Sequence, residues 1–239
     1  MTRRALRTTI VASLTGFAVM SPPVHAQDAA RAIAECDRLA ASDLDRGRPA
    51  NVPGVAFFLI DTKAAIPACT SAAIAQPTNA RLRFQLGHAL AADKQYQRAF
   101  TELTEAARLG SLPATVSLGG LNRDGNGVPQ NFEEARKQYE KAAKVGLPVA
   151  MFFLAQLNRE GKGGPANDAL ADHWFKQARI AFSEDLKLGS ISAMHIMGVM
   201  NEFGWGGPKD IGEARKLFTQ AAAKGHPLSK QGLQRVGSQ

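Results

Sequence analysis

The sequence predicts an all-α solenoid of stacked helical hairpins, and three observations carry that prediction. A unit recurs: Leu118 to Gly146 reads LGGLNRDGNGVPQNFEEARKQYEKAAKVG, with two later copies and one looser, earlier one. Gly125 and Gly161 stand 36 residues apart, as do Ala135 and Ala171. Gly119 and Gly198 stand 79 apart, as do Gly127 and Gly206, Ala135 and Ala214, and Gly146 and Gly225. Within a unit, two helical stretches flank a glycine-rich turn, and small residues recur where paired helices must approach closely. A unit of this size cannot bury its apolar face alone, so neighbours must stack to form a continuous core.

The first 26 residues read as an export signal. Arg3, Arg4 and Arg7 precede a short apolar run from Ile10 to Met20, and Val24, His25 and Ala26 offer a cleavage site before Gln27. The run is too short for a membrane helix. Paired arginines leave twin-arginine and general export both open. Cleavage would lower the net charge from +8 to +5, since those arginines are the only charged residues removed. The expected compartment is the periplasm, with secretion as the alternative.

Residues 27–79 form an expected helical cap. Ala29 to Ala40 has helical composition, Gly47 to Gly54 with Pro49 and Pro53 is a loop, and Val55 to Ile60 is an apolar run expected to pack as a plug. Asp61 then caps a helix reaching about Ala75. The chain has two cysteines, Cys36 and Cys69, both in this cap. In an exported chain an isolated pair reads as a disulfide, worth about 3–4 kcal/mol in the chain-entropy view.

The solenoid is expected over 80–239, as units 80–111, 112–147, 148–190 and 191–226 and a C-terminal capping helix 227–239. Units two to four place glycine-rich turns at Gly125 to Pro129, Gly161 to Pro165 and Gly204 to Pro208. Lys144 and Lys224 near Gly146 and Gly225 suit the negative ends of second helices and a left-handed cap. Unit three carries seven extra residues between Ala178 and Gly189. Seven residues make about two helical turns, so a longer helix keeps Phe182 and Leu186 on the face set by Ala171, Phe175 and Ala178. The alternative is a break at Ser183.

The string LGxxNxxGxGV, a Pro-polar start and EARKxxxxAAxxG together resemble the Sel-1-like repeat of the tetratricopeptide superfamily, over roughly residues 80–239. In the cap, Ala65, Cys69, Ala72 and Pro77 match the offsets of a tetratricopeptide second helix, which makes the cap resemble a degenerate repeat. The resemblance implies a right-handed α-solenoid that assembles protein complexes, often near membranes, with exported members regulating envelope signalling. All three later units depart from the family pattern alike, with Asn122, Asn158 and Asn201 where an aromatic is usual. Half-buried amides at equivalent points need partners, which predicts hydrogen bonds to a neighbouring repeat or its loop.

Little in the sequence calls for catalysis. The glycine turns follow helices and lack a P-loop lysine, so they read as turns. His88, His173, His195 and His226 form no HxxxH pair, and no serine sits in a GxSxG elbow. Asp124, Glu160 and Glu202 fall in one repeat-equivalent stretch, where a solvated face is the simpler reading than an acid–base pair. No cofactor or metal is expected. Positive charge is scattered beside Asp and Glu, which argues against nucleic acid and leaves peripheral envelope contact open. A hydrolase acting on cell-wall material or β-lactams is the alternative, prompted by a cysteine-rich branch of the family; its repeats each carry a disulfide, whereas these carry no cysteine.

The expected function is non-catalytic binding of a protein or peptide, as scaffold or envelope regulator. In the family pattern the first helix of each unit lines the concave side. With Gly87, Gly119, Ala155 and Gly198 in register, the candidate groove residues are Phe84, Val116, Phe152 and His195, then His88, Gln156 and Val199, then Arg123, Arg159, Glu160, Glu202 and Phe203. Phenylalanines among arginines and carboxylates suit an extended peptide. The alternative for Phe84 and Phe152 is packing against the next unit. Trp205 is a second candidate contact.

Overall fold

The computed structural model describes residues 24–237. Most of the expected export signal, residues 1–23, lies outside the described residues, as do Ser238 and Gln239 at the end of the capping segment. The described residues form α1 (Val24–Ala40), α2 (Thr62–Ala75), α3 (Ala80–Ala92), α4 (Tyr96–Arg108), α5 (Leu112–Asp124), α6 (Phe132–Ala143), α7 (Pro148–Glu160), α8 (Asp168–Lys187), α9 (Ile191–Phe203), α10 (Ile211–Ala223) and α11 (Pro227–Gly237). They pack as successive antiparallel pairs, α1 with α2 through α9 with α10, and α11 covers the last pair. Among the described residues the sole β feature is an isolated bridge between Ser42 and Val55. No described helix is long and apolar enough to cross a membrane.

The pairs close through notches. In α5 a side chain at Gly119 would place its Cβ 2.6 Å from Cε1 of Tyr139 on α6, and at Gly198 2.7 Å from Phe218 on α10. Gly87 faces Leu103 in the same way. A missing side chain on the first helix thus admits a large one from the second, and Tyr139 and Phe218 are fully buried. Unit three fills the equivalent positions with Ala155 and Phe175, both fully buried. Ala135 and Ala214 are buried at the start of the second helices.

The turns are equally regular. Gly125, Gly161 and Gly204 close their first helices in the left-handed conformation, and Gly146 and Gly225 follow the second helices at positive φ. Asn131, Asn167 and Asp210 cap the second helices by accepting from Glu134, Leu170 and Glu213 backbone N–H groups. Each turn then docks on the preceding unit. A Cβ on Gly127 would lie 2.7 Å from Tyr96 backbone, and one on Gly163 2.2 Å from the Phe132 carbonyl oxygen. Only glycine permits that approach, at φ of 74° and 71°.

Two of the three asparagines join neighbouring repeats. Arg136 on α6 donates to Asn158 Oδ1 at 2.7 Å, and Arg179 on α8 donates to Asn201 Oδ1 at 2.7 Å. Asn158 also donates to the Leu154 carbonyl at 2.8 Å. Asn122 differs: its amide donates to Gln138 of its own unit at 3.2 Å and to Leu118. The residue 22 positions before Asn122 is Phe100, which has no donor to offer.

The extra residues of unit three extend α8, which runs unbroken for 20 residues with Phe182 fully buried. The next unit sits correspondingly farther along it. Gly163 docks at the first residue of α6, whereas Gly206 docks on the Phe175 and Lys176 backbone, seven residues into α8. Arg136 and Arg179 show the same seven-residue displacement from their helix caps, five and twelve residues after Asn131 and Asn167.

Replacing Asn158 by tyrosine, the usual aromatic, removes the shortest of Arg136's acceptors, leaving it the Leu157 and Lys162 carbonyls, and overfills a fully buried site. Thermal or urea unfolding of Asn158→Tyr is expected to show a loss of about 1–3 kcal/mol; unchanged or raised stability would mean that the amide contributes nothing.

Candidate functional site

The concave side is not bare. Between α1 and α2 the chain leaves as a strap, residues 41–60, and crosses the first helices of the later units. Its base is pinched where Val55 N–H donates to the Ala41 carbonyl at 2.6 Å and Asp43 N–H to the Val55 carbonyl at 3.2 Å. Both ends are held by the cap, since Cys36 on α1 and Cys69 on α2 are joined by the disulfide. The expected plug at Val55 to Ile60 takes the form of one 3-10 turn, Phe57–Leu59.

Two charged contacts fix the far side of the strap. Asp43 accepts from Ser190 Oγ at 2.8 Å, Ser192 N–H at 3.1 Å and Ser192 Oγ at 3.1 Å, so a carboxylate sits on the N-terminus of α9. Arg46 donates to Asp185 Oδ1 at 2.9 Å and to the Ala181 carbonyl at 2.9 Å, both on α8. Burial raises the Asp185 pKa and Arg46 opposes that shift. Aromatic contacts complete the crossing: Phe57 lies 4.9 Å from His88, and Phe58 meets His226 edge-on at 4.6 Å.

Beneath the strap lies a chamber of about 430 Å³. Leu44 and Phe57 form its lid, and Val116, Val149, Phe153 and Ile196 its apolar walls. His88, His195 and His226 contribute imidazoles, with His195 and His226 stacked at 4.1 Å. Burial pulls the His88 pKa down to about 4 and does the same to His195, helped by the neighbouring His226; burial lowers His226 as well. All three are neutral at physiological pH. A smaller cleft of about 270 Å³ opens at the loop edge beside Arg123, Gln156, Glu160 and Lys162, and shares Asp124 and Phe153 with the chamber.

The expected groove residues divide accordingly. Val116, His88 and His195 line the chamber, and Arg123, Gln156 and Glu160 line the cleft. Phe84 and Phe152 are corrected. They are 2% and 5% exposed, Phe84 stacked on His88 at 5.1 Å and Phe152 edge-on to Phe153 and Phe175, so packing takes them. Glu202 is also corrected: it is buried and paired with Arg235 of α11 at 2.7 Å, so no partner can reach it. Val199 turns toward the Ala214, Phe218 and Val236 cluster. Arg159 pairs with Asp172 and lies over the Phe175 and Trp205 rings. Trp205 packs between Phe175 and Phe203 rather than standing free, while Phe203 remains 53% exposed.

Sequence reasoning missed the strap itself, the column of Ser117, Phe153 and Ile196, and Tyr139 as a chamber residue. The apolar run at Val55 to Ile60 was the one available signal, because an aspartate in a loop gives no hint of a serine 147 positions away. The three carboxylates do not converge as a catalytic pair: Asp124 pairs with Arg123, Glu160 with Lys162 and Glu202 with Arg235. No group of three His, Cys, Asp or Glu suited to a metal ion occurs among the described residues.

Residues 113–147, 148–179 and 191–226 match the Sel1 repeat. The chain carries three Sel1 repeats. No curated protein matches it in sequence. Among solved structures it is similar to a protective antigen present in uropathogenic Escherichia coli strains and displaying an SLR fold, at 21% identity and a TM-score of 0.45, over 72% of this chain and 44% of that one. It is also similar to a Sel1 repeat protein from Oxalobacter formigenes, at 27% identity and 0.42, over 63% and 59%. A Sel1 repeat protein from Klebsiella pneumoniae is similar at 18% identity and 0.41, over 68% and 95%. The chain thus spans about half the length of the first two.

Two outcomes are expected. Asp43→Ala frees the strap from α9: trypsin should cut faster after Arg46, with a stability loss of about 1–3 kcal/mol, and unchanged cleavage would mean the strap does not depend on this anchor. The histidines give a pH dependence. Their folded pKa lies below the unfolded 6.5, so their contribution is complete above pH 6.5 and lost as pH falls toward 4. Unfolding at stepped pH should show stability declining across that window, less steeply in His88→Gln; equal slopes would show that His88 is not the cause.

Proposed function

We propose that this protein is exported to the periplasm and binds a protein or peptide partner, as scaffold or envelope regulator, without catalysis. The observation that carries this reading is the cleft at the open edge of the concave face. There Arg123 and Gln156 are half-buried while Glu160 and Lys162 reach solvent around the partly buried Phe153. Charges of both signs around an aromatic floor suit a peptide segment with one apolar anchor and polar register contacts. Arg123 is already ordered, stacked 4.3 Å over the Phe153 ring and paired with Asp124, so binding orders little further. The strap shows that this concavity accommodates an irregular polypeptide segment, here supplied by the chain itself. Phe203, exposed on the neighbouring unit, extends the surface.

The test places a photo-crosslinking residue at 156 or 160 and, as a control, at the exposed position 137 on α6. Positions 156 and 160 are expected to yield the same discrete adduct in the periplasmic fraction, lost with Lys162→Glu and absent at 137. Identical adducts at all three positions, or none, would overturn the assignment. A mature N-terminus at Gln27 is expected from the same fraction; an uncleaved chain in the cytoplasm would overturn export.

A further inference from the structure

We propose that the strap is an acid-released latch: proton uptake by the imidazoles beneath it opens residues 41–60 while the solenoid stays folded. The contacts that seat the second half of the strap are made on histidines. Phe57 lies 4.9 Å from His88 of α3, and Phe58 meets His226, the residue before α11, edge-on at 4.6 Å. Leu44 and Phe57 roof the space that His88, His195 and His226 line. The disulfide keeps both ends of the strap in the cap, so opening is the lifting of a tethered loop.

These rings are seated for the neutral form. A charged imidazole donates from both of its nitrogens. His88 Nδ1 and His226 Nδ1 are buried with no hydrogen-bond partner, so a cation at either site would hold a proton that nothing accepts. His195 Nδ1 lies 2.9 Å from Ser229 Oγ, and its ring stacks on His226 at 4.1 Å, so two charges there would repel ring on ring. Charge on these groups is stable only where water reaches them, which is when the strap lifts.

The surrounding charges do not cancel this preference. From the strap, Asp43 favours charge on His88 and His226, and burial outweighs it. From α11, Arg235 disfavours charge on His195, as does His226. Asp124 of α5 and Glu202 of α9 are already paired, with Arg123 and Arg235. Two carboxylates act in the opposite sense. Burial raises Asp45 against Arg48, and Asp185 against Arg46 and Arg48, so protonation of either favours the closed strap. Those displacements are smaller than the fall of His88 and His195 from 6.5 to about 4, so the imidazoles set the direction. With closed values below 6.5, their hold on the strap is complete above pH 6.5 and is lost as pH falls toward 4. The latch does not depend on the partner at the cleft, and either can fail alone.

The experiment follows amide hydrogen exchange by NMR between about pH 7.5 and 5, corrected for the intrinsic pH dependence of exchange. The Asp43, Val55 and Ser192 N–H groups report on the strap, since they bond across its base and at its α9 anchor; α6 and α7 amides report global unfolding. An imidazole that moves from about 4 to 6.5 on opening raises the open population about twenty- to thirtyfold over that range. With two such groups, and the carboxylates opposing, the strap reporters are expected to lose protection about a hundredfold. The α6 and α7 amides should stay at least about tenfold better protected at every pH, with helical circular dichroism unchanged. His88→Gln should cut the loss about tenfold, and His88→Gln with His195→Gln should leave less than about tenfold; where glutamine does not fold, phenylalanine replaces it. Strap protection indifferent to pH would overturn the proposal, as would exchange of the strap together with α6 and α7. An undiminished acid response in the histidine variants would assign it to carboxylates and overturn it equally.

Discussion

The structure depends on one steric arrangement: a helix without a side chain at one point, against a helix with a large one. Gly119 admits Tyr139 and Gly198 admits Phe218, and a Cβ in either notch would fall at 2.6–2.7 Å from the ring. The notch sets how close the two helices of a hairpin come, and so where the next hairpin finds its seat. Glycine in a helix interior costs about 1 kcal/mol against alanine. Burying a whole aromatic ring offsets that several times over. Loop glycines repeat the solution between units: Gly127, Gly163 and Gly206 lie flat on the preceding second helix. Polar links are then laid over this contact, with Arg136 to Asn158 and Arg179 to Asn201 joining adjacent repeats at the same distance.

Unit three breaks the period, and the break has a use. Its seven added residues move the seat of unit four by about two turns along α8, or roughly 10 Å. Because seven residues nearly complete two turns, the inward face persists and Phe182 enters the core. The added length also brings Ala181 and Asp185 to where Arg46 reaches them. The strap's anchor therefore stands on the very turns that a regular repeat would lack. Asp43 on the start of α9 adds a second fixing point immediately beyond.

How much of this could be read in the sequence follows from range. Notches, caps and turn glycines repeat at fixed spacing and are local, so hairpins, the unbroken α8 and the disulfide were legible from residues alone. The asparagine links at Asn158 and Asn201 were legible too, because equivalent buried amides needed partners, while Asn122 found its partners inside its own unit. The concave face was not. Phe84 and Phe152 occupy groove columns, yet they point into hydrophobic space that only the adjoining units define. Glu202 shows the same limit, since its partner Arg235 lies on the capping helix, outside any repeat. The strap has no period at all, and its contacts join Asp43 to Ser190 and Arg46 to Asp185, across most of the solenoid.

The disulfide takes on a further role in this arrangement. Cys36 precedes the strap and Cys69 follows it, so residues 41–60 lie wholly inside the covalent loop closed by the bridge. A loop whose ends are already held together has less conformational freedom to lose on docking across the concave face. The bridge thus acts twice, once by clamping α1 to α2 and once by lowering the entropic cost of seating the strap. Leu44 and Phe57, which roof the chamber, are carried by that same constrained segment. Covalent closure in the cap, added turns in α8 and the roof of the chamber are therefore parts of one device, which fastens the cap to the third and fourth units of the solenoid.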